Sequence, residues 1–194
     1  MDTTITLKII LVGDSSVGKT SLLLKYTGGG FEDNYMSTIG VDFKLKSIEV
    51  NNYKVNLKIM DICGQERFKS LNKNFYSSAD GIMFVFDVTQ KLSFKSIDGW
   101  LKEPNDFTSK FKKILIANKI DLENIREVNK EMIEKYANKE KMIYFETSAK
   151  TGVNVDESFN KLAELIISDM KEEEIKEKIE KVGLIKKGKS KKCC

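Results

Sequence analysis

The chain has 194 residues, 41% of them hydrophobic and 32% charged, which suits one domain with a buried core and a soluble surface. It has no histidine, and this excludes Ser-His-Asp and Cys-His nucleophile systems and any zinc site with a His ligand. The formal charge is +4, but residues 186–194 hold five lysines (Lys186, Lys187, Lys189, Lys191, Lys192) and no acid, and without them it falls to −1; a near-neutral body with a cationic tail points to an anionic surface met end-on and away from nucleic acid.

Apolar runs alternate with amphipathic ones, the pattern of an α/β fold with a largely parallel sheet. Leu7 to Val12 is an apolar run ending at Gly13 and reads as a buried strand, followed by a helix from near Lys19. Val41–Val50 reads as a strand joined through an Asn51-Asn52 hairpin turn to a half-buried one in which Tyr53, Val55, Leu57 and Ile59 alternate with polar neighbours. Ile82–Phe86, Ile114–Ala117 and Met142–Phe145 read as further buried strands, with helices from near Leu92 and Lys130. Pro104 is expected to end or kink the first of these near Glu103. A last helix from Val155 places Val155, Phe159, Leu162 and Ile166 on one face, with Asn154 and Glu157 as its N-terminal cap. Lys171–Lys181 is a solvated Lys/Glu stretch suited to prolonging that helix, and beyond Gly183 the composition favours a disordered tail. No run approaches the roughly 20 apolar residues of a membrane-spanning helix, and Met1-Asp2-Thr3-Thr4 does not open a secretory signal. Cys63 is alone in the body while Cys193 and Cys194 close the chain, so no disulfide framework is expected and a reducing cytosolic face is.

Gly13-Asp14-Ser15-Ser16-Val17-Gly18-Lys19-Thr20 fits G-x-x-x-x-G-K-[ST] between a buried strand and a helix. Such a loop turns successive N–H groups, here through Ser16, Val17, Gly18 and on to Ser21, toward a phosphate chain at a helix N-terminus. Lys19 would meet the β and γ phosphates and the Thr20 hydroxyl would bind Mg²⁺. Asn118-Lys119-Ile120-Asp121 follows the strand Ile114–Ala117, at the strand end where open α/β sheets place ligands. A buried Asp121 carboxylate there can accept from guanine N1–H and its exocyclic amine, a donor pair that adenine lacks. Glu146-Thr147-Ser148-Ala149-Lys150 repeats the arrangement after Met142–Phe145, where small residues let backbone N–H groups of Ser148, Ala149 and Lys150 reach the base carbonyl. Asp61 precedes Gly64-Gln65-Glu66; it can hold Mg²⁺ through water, the Gly64 N–H can sense a γ-phosphate, and Gln65 can orient an attacking water as the catalytic residue. Thr38 would add its hydroxyl to the metal when the third phosphate is present.

On these motifs the chain resembles the Ras-superfamily small GTPases, and more narrowly the Rab family, from about Leu7 to Met170. Narrower marks are Ile39-Gly40-Val41-Asp42-Phe43, Gln65-Glu66-Arg67-Phe68 and the Cys193-Cys194 ending. The resemblance implies a P-loop NTPase G domain over residues 1–172, a six-stranded, mostly parallel sheet with one antiparallel strand and about five helices, then a flexible tail over 173–194. It implies a GTP/GDP switch that hydrolyses GTP and regulates vesicle traffic, with Phe31 near the guanine and Ser15 beside the γ-phosphate. Effectors would read Ile39, Gly40, Val41, Asp42 and a triad of Phe43, Met60 and Phe75. Met60 stands where the family usually has Trp, and Ile62-Cys63 where Thr-Ala is common, departures that bear on effector reading more than on nucleotide binding. Pro104 is also atypical.

Arginine occurs only at Arg67 and Arg126, so slow intrinsic hydrolysis is expected, accelerated by an activating protein that inserts its own charge. The fourth residue from the end is Lys191, which does not fit a C-a-a-X box; paired terminal cysteines resemble sites for two geranylgeranyl groups, which with the lysines would hold a monomer on the cytoplasmic face of an intracellular membrane, alongside a cytosolic pool. Exchange factor, activating protein, effectors, GDP-dissociation inhibitor and prenylation escort are the partners the resemblance implies. The competing readings are a P-loop kinase or ATPase, which Asp121 disfavours, and a nucleotide-locked binding scaffold with little turnover, which Gln65 and Thr38 disfavour.

Overall fold

The computed structural model describes residues 4–29, 41–62, 75–105 and 111–179; at 41, 42, 62 and 105 it describes the backbone alone. Six strands form one sheet: β1 (Thr4–Val12), β2 (Val41–Val50), β3 (Tyr53–Ile62), β4 (Gly81–Asp87), β5 (Lys112–Asn118) and β6 (Ile143–Thr147). Their order is β2-β3-β1-β4-β5-β6. Only the β2–β3 pair is antiparallel, as expected for a hairpin amid crossovers. Its turn is Asn51-Asn52, both with positive φ (49° and 65°), between the paired residues Val50 and Tyr53. This conformation matches the right-handed twist of the strands it joins.

Side-chain parity divides the core in two. Ile5, Leu7, Ile9 and Leu11 of β1 join Met83, Val85, Ile114 and Ile116 on one face of the sheet. Ile10 and Val12 join Ile82, Phe84, Phe86, Leu115 and Ala117 on the other. Period-two alternation places successive residues on opposite faces, and helices cover both, so Ile9–Val12 of β1 and all of β4 are buried on either side. Helices α1 (Lys19–Tyr26) and α4 (Val155–Asp169) cover the first face, where the α4 stripe Val155, Phe159, Leu162 and Ile166 is buried as its spacing predicts. Helices α2 (Lys91–Asn105) and α3 (Lys130–Lys139) cover the second through Phe94, Ile97, Trp100, Leu101, Ile133 and Ala137.

Four local expectations change. The strand expected at Met142–Phe145 starts one residue later and runs to Thr147; it is an edge strand, with Ile143 exposed and Tyr144 and Phe145 half-buried, because only β5 flanks it. Asn154 does not cap α4 with its side chain: it takes a left-handed conformation and donates from Nδ2 to Glu146 O at 2.8 Å instead. Asn129 performs that role for α3, accepting from Met132 N at 2.9 Å. Pro104 lies inside α2, whose described residues run two positions past Glu103.

The fourth change concerns the Lys/Glu stretch. Helix α4 ends at Asp169 because Met170 is extended (φ −72°, ψ 136°), and residues 172–179 form a separate helix, α5. Ile175 and Ile179 pack on the first core face, and Lys178 bonds Asp80 Oδ1 at 2.6 Å. Asp80 already accepts from Lys8 N at 2.8 Å, so α5 is tied to the start of β4 and to β1. The stretch is therefore neither a prolongation of α4 nor solvated on all sides, and it packs across the boundary drawn at residue 172.

Candidate functional site

The site lies at the carboxyl ends of β1, β3, β4 and β5, where Gly13, Asp61, Asp87 and Asn118 close or follow their strands. Gly13 (φ 145°) has no room for a side chain, since a Cβ would stand 2.1 Å from Val85 O. Gly18 (φ 97°) precedes α1, and its absent Cβ would meet Asn118 Nδ2 at 2.3 Å. Two glycines thus let the Gly13–Thr20 loop curl against β4 and against the β5 end.

Lys19 is only 6% exposed, and its Nζ donates to Gly13 O at 2.8 Å and Asp14 O at 2.7 Å. The ammonium is thereby held over the loop it must serve, at the start of α1. Ser15 and Ser16 are exposed at the loop crest, Val17 is buried beneath it, and Ser21 is half-buried one residue past Thr20. The Thr20 hydroxyl donates to Asp61 Oδ2, and Asp61 is buried at the end of β3 beside Leu11 of β1. These are two hard oxygen donors from different elements, and they fit Mg²⁺. Among the described residues no cluster of three or more His, Cys, Asp or Glu side chains could hold a metal.

Asn118 joins the two halves of the site. It is wholly buried; Nδ2 donates to Val17 O at 2.9 Å, while Oδ1 accepts from Thr147 Oγ1 at 3.2 Å and Ala149 N at 3.3 Å. The phosphate loop, the β5 end and the 146–150 loop are thereby fixed relative to one another. Lys119 takes a left-handed conformation (φ 69°) and pairs through Nζ with Asp87 Oδ2 at 2.7 Å. Asp87 is itself buried, its Oδ1 accepting from Thr89 N and Oγ1. Asp121 accepts from Ser148 Oγ at 2.6 Å. Contrary to the expected burial, Asp121 is exposed: it is the second residue of a short 3₁₀ segment (Ile120–Ile125) that has no buried residue. A carboxylate so placed is desolvated only by what binds against it. Ser148 N donates to Val153 O and Ala149 N to Asn118 Oδ1, while Lys150 is exposed.

Of the residues assigned to effectors, Phe43 is 54% exposed with Lys58 Nζ 4.8 Å from its ring centroid. Its register partner Met60 is only 5% exposed, and Phe75 is half-buried against the second core face. Met60 thus packs inward among the second-face core residues. Val41 and Asp42 pair by backbone with Ile62 and Asp61. Phe31, Thr38, Ile39, Gly40, Gly64, Gln65, Cys193 and Cys194 lie outside the described residues. Arg126 is bound to Glu123 (2.7 Å) and Glu146 (2.8 Å) and donates to Val128 O, so it is committed to the fold.

Two participants escaped the sequence. Asp87 carried a usable signal, a carboxylate at the end of a buried strand. Trp100 carried none, because its contact is made across the fold: from α2 its Nε1 donates to Asp14 Oδ1 at 2.7 Å.

The model of the Ras family matches residues 8–168. The chain is 41% identical over 161 residues to the Ras-related protein Rab-13 of Rattus norvegicus, covering 82% of this chain and 79% of that protein. It is 42% identical over 161 residues to Rab-13 of Canis lupus familiaris, with the same coverage. It is 41% identical over 167 residues to Rab-15 of Homo sapiens, covering 86% of this chain and 79% of that protein. The chain accordingly belongs to the Ras family and, within it, to the Rab small GTPases, switches of vesicle trafficking that bind and hydrolyse GTP.

Proposed function

We propose that this Rab protein reads its nucleotide through the residues gathered at the strand ends. The observation that carries the proposal is the Asn118 brace, which ties the Gly13–Thr20 loop to the 146–150 loop, whose Ser148 hydroxyl in turn donates to Asp121. Loop amides of Ser15, Ser16, Val17, Gly18, Thr20 and Ser21 and the Lys19 ammonium grip the phosphates, while Asp121, held by Ser148, selects guanine with Asn118, Lys119, Ala149 and Lys150 around it and Phe31 against the base. Thr20 and Asp61 hold Mg²⁺, Asp61 through water, and Thr38 joins them in the GTP state; the ion when bound neutralises charge on the transferring phosphoryl group. Gln65 orients the attacking water, and Gly64 senses the third phosphate. After hydrolysis Thr38 and Gly64 release their loops, which is the switch.

Arginine is scarce in the chain and Arg126 is bound to Glu123 and Glu146; intrinsic turnover is slow on this reading and an activating protein supplies the missing charge, an addition worth about 10³–10⁵ in rate. An exchange factor reloads GTP, effectors read Ile39, Gly40, Val41, Asp42 and Phe43 with Met60 and Phe75, and a GDP-dissociation inhibitor and prenylation escort handle the lipidated form. Geranylgeranyl groups on Cys193 and Cys194 and the five tail lysines hold the monomer on the cytoplasmic face of an intracellular membrane, with a cytosolic pool.

Calorimetry with Mg²⁺ tests the site: GTP and GDP are expected to bind and ATP to be rejected, and equal uptake of ATP and GTP would refute the guanine assignment. Single-turnover hydrolysis tests the catalyst: Gln65→Leu is expected to slow the step by about 10²-fold, the cost of losing the alignment of a reacting group. Unchanged rates would remove Gln65 from the mechanism.

A further inference from the structure

Asp14 puts a carboxylate inside the phosphate loop, one residue past Gly13. If that side chain swung toward the bound phosphates, like charges would meet at the point where the loop must attract anions. In the structure it is turned away: Trp100 Nε1, on a different element and 86 positions distant, donates to Asp14 Oδ1 at 2.7 Å. We propose that Trp100 is a positioning residue for nucleotide binding, its indole N–H holding the Asp14 carboxylate off the phosphate cradle. The inference rests on the proposed phosphate site.

Three features make the contact a device and not an incidental bond. The indole N–H is a donor only, and the ring is fixed among the second-face core residues at 8% exposure, so its direction is set. Gly13 lies against Val85 O with no room for a Cβ, so the residue before Asp14 packs on β4. The Asp14 carbonyl also accepts from Lys19 Nζ at 2.7 Å. One residue therefore carries both the repelling group and an acceptor that holds the attracting one, and displacing it disturbs both.

The test measures dissociation constants of a fluorescent methylanthraniloyl-GDP with Mg²⁺ on the full chain, exciting the label directly. Trp100→Phe keeps most of the ring in the core and removes the N–H. Binding is expected to weaken on the order of tenfold, the repulsion of a carboxylate left free to face the phosphates through a protein-like dielectric. Because the cause is repulsion, that penalty should shrink markedly between about 0.05 and 0.5 M salt. Asp14→Asn in the Trp100→Phe background should restore affinity to within about twofold of Asp14→Asn alone, since the unbraced charge is gone. A Trp100→Phe protein that binds like the wild type, a double variant as weak as Trp100→Phe, or a penalty indifferent to salt would each overturn the proposal. Should Trp100→Phe lose cooperative unfolding, Asp14→Asn alone decides: affinity equal to or above the wild type supports repulsion, and a tenfold loss refutes it. A wild type that binds no guanine nucleotide refutes the site itself, and a wild type that binds while Trp100→Phe is neutral refutes only the role of Trp100.

Discussion

Replacing Asn118 with alanine tests whether the site is held together by one buried amide. The substitution removes the donor to Val17 O (2.9 Å) and the acceptor of Thr147 Oγ1 and Ala149 N (3.2 and 3.3 Å), all in a place sealed from water. Orphaning a buried partner of a short bond costs about 1–3 kcal/mol, and the two longer bonds are worth about 1 kcal/mol each, so the loss sums to roughly 3–5 kcal/mol. For a chain of this size that lowers the melting temperature by about 10 °C, a large part of the roughly 5–15 kcal/mol that holds an ordinary domain folded. Urea and thermal unfolding of nucleotide-free protein are the assays, because bound GDP would add stability by mass action and mask the structural term. Asn118→Asp sharpens the test: it keeps the acceptor but sets a carboxylate against the Val17 carbonyl, and a buried unpaired charge should cost more than alanine. A melting temperature for Asn118→Ala within about 2 °C of the wild type, or Asn118→Asp more stable than Asn118→Ala, would refute the brace.

Two further outcomes follow from the same structure. Ile175→Asp should undock helix α5, whose hold on the body includes Ile175, Ile179 and the bonds of Lys178 to Asp80 and Thr6 O; losing a half-buried isoleucine at about 1 kcal/mol speeds amide exchange over residues 172–179 roughly fivefold while leaving GDP affinity unchanged, and unaltered exchange would show that α5 is not docked through that face. The phenols of Tyr26 and Tyr136 are both raised, Tyr26 by burial and then by the charge of Asp156, Tyr136 by burial and then by its hydrogen bond to Asp98. With unfolded phenols near 10, the native state keeps protons that the unfolded chain loses, so this stability is complete below about pH 10 and is lost as pH rises beyond it. Urea midpoints from pH 8 to 11 should fall more steeply for the wild type than for Tyr26→Phe and Tyr136→Phe, and parallel slopes would refute the assignment.

What the sequence made legible was local or periodic. Leu7–Val12 was legible as a buried strand because the run is apolar and stops at Gly13, and the pleat then divides Ile9, Ile10, Leu11 and Val12 between the two faces. The hairpin at Asn51-Asn52 was legible because asparagine tolerates positive φ. Asn154 and Asn129 show where this fails. Both precede a helix and both suit a cap, but the Glu146 carbonyl competes for Asn154, and that competitor comes from another loop of the fold. Helix α5 was hidden for a related reason: among many charges, two isoleucines four apart are a weak stripe, and their value depends on the core face that the rest of the chain builds for them.

The site divides along the same line. Gly13, Gly18, Lys19 and Thr20 were readable because a phosphate loop of the proposed kind works through backbone amides, and the sequence need only permit the curl. Asn118 was readable as belonging to the base motif, yet its side-chain bonds run to Val17, 101 positions away, and to Thr147 and Ala149. That changes the physical meaning of the motif. If Asn118 serves as a brace, substituting it should weaken phosphate and base recognition together, whereas a residue that only touched the base would leave phosphate affinity intact. Binding of GDP and of inorganic pyrophosphate to Asn118→Ala, measured side by side, separates the two: a parallel loss supports the brace, and an unchanged pyrophosphate affinity would reduce Asn118 to a base contact.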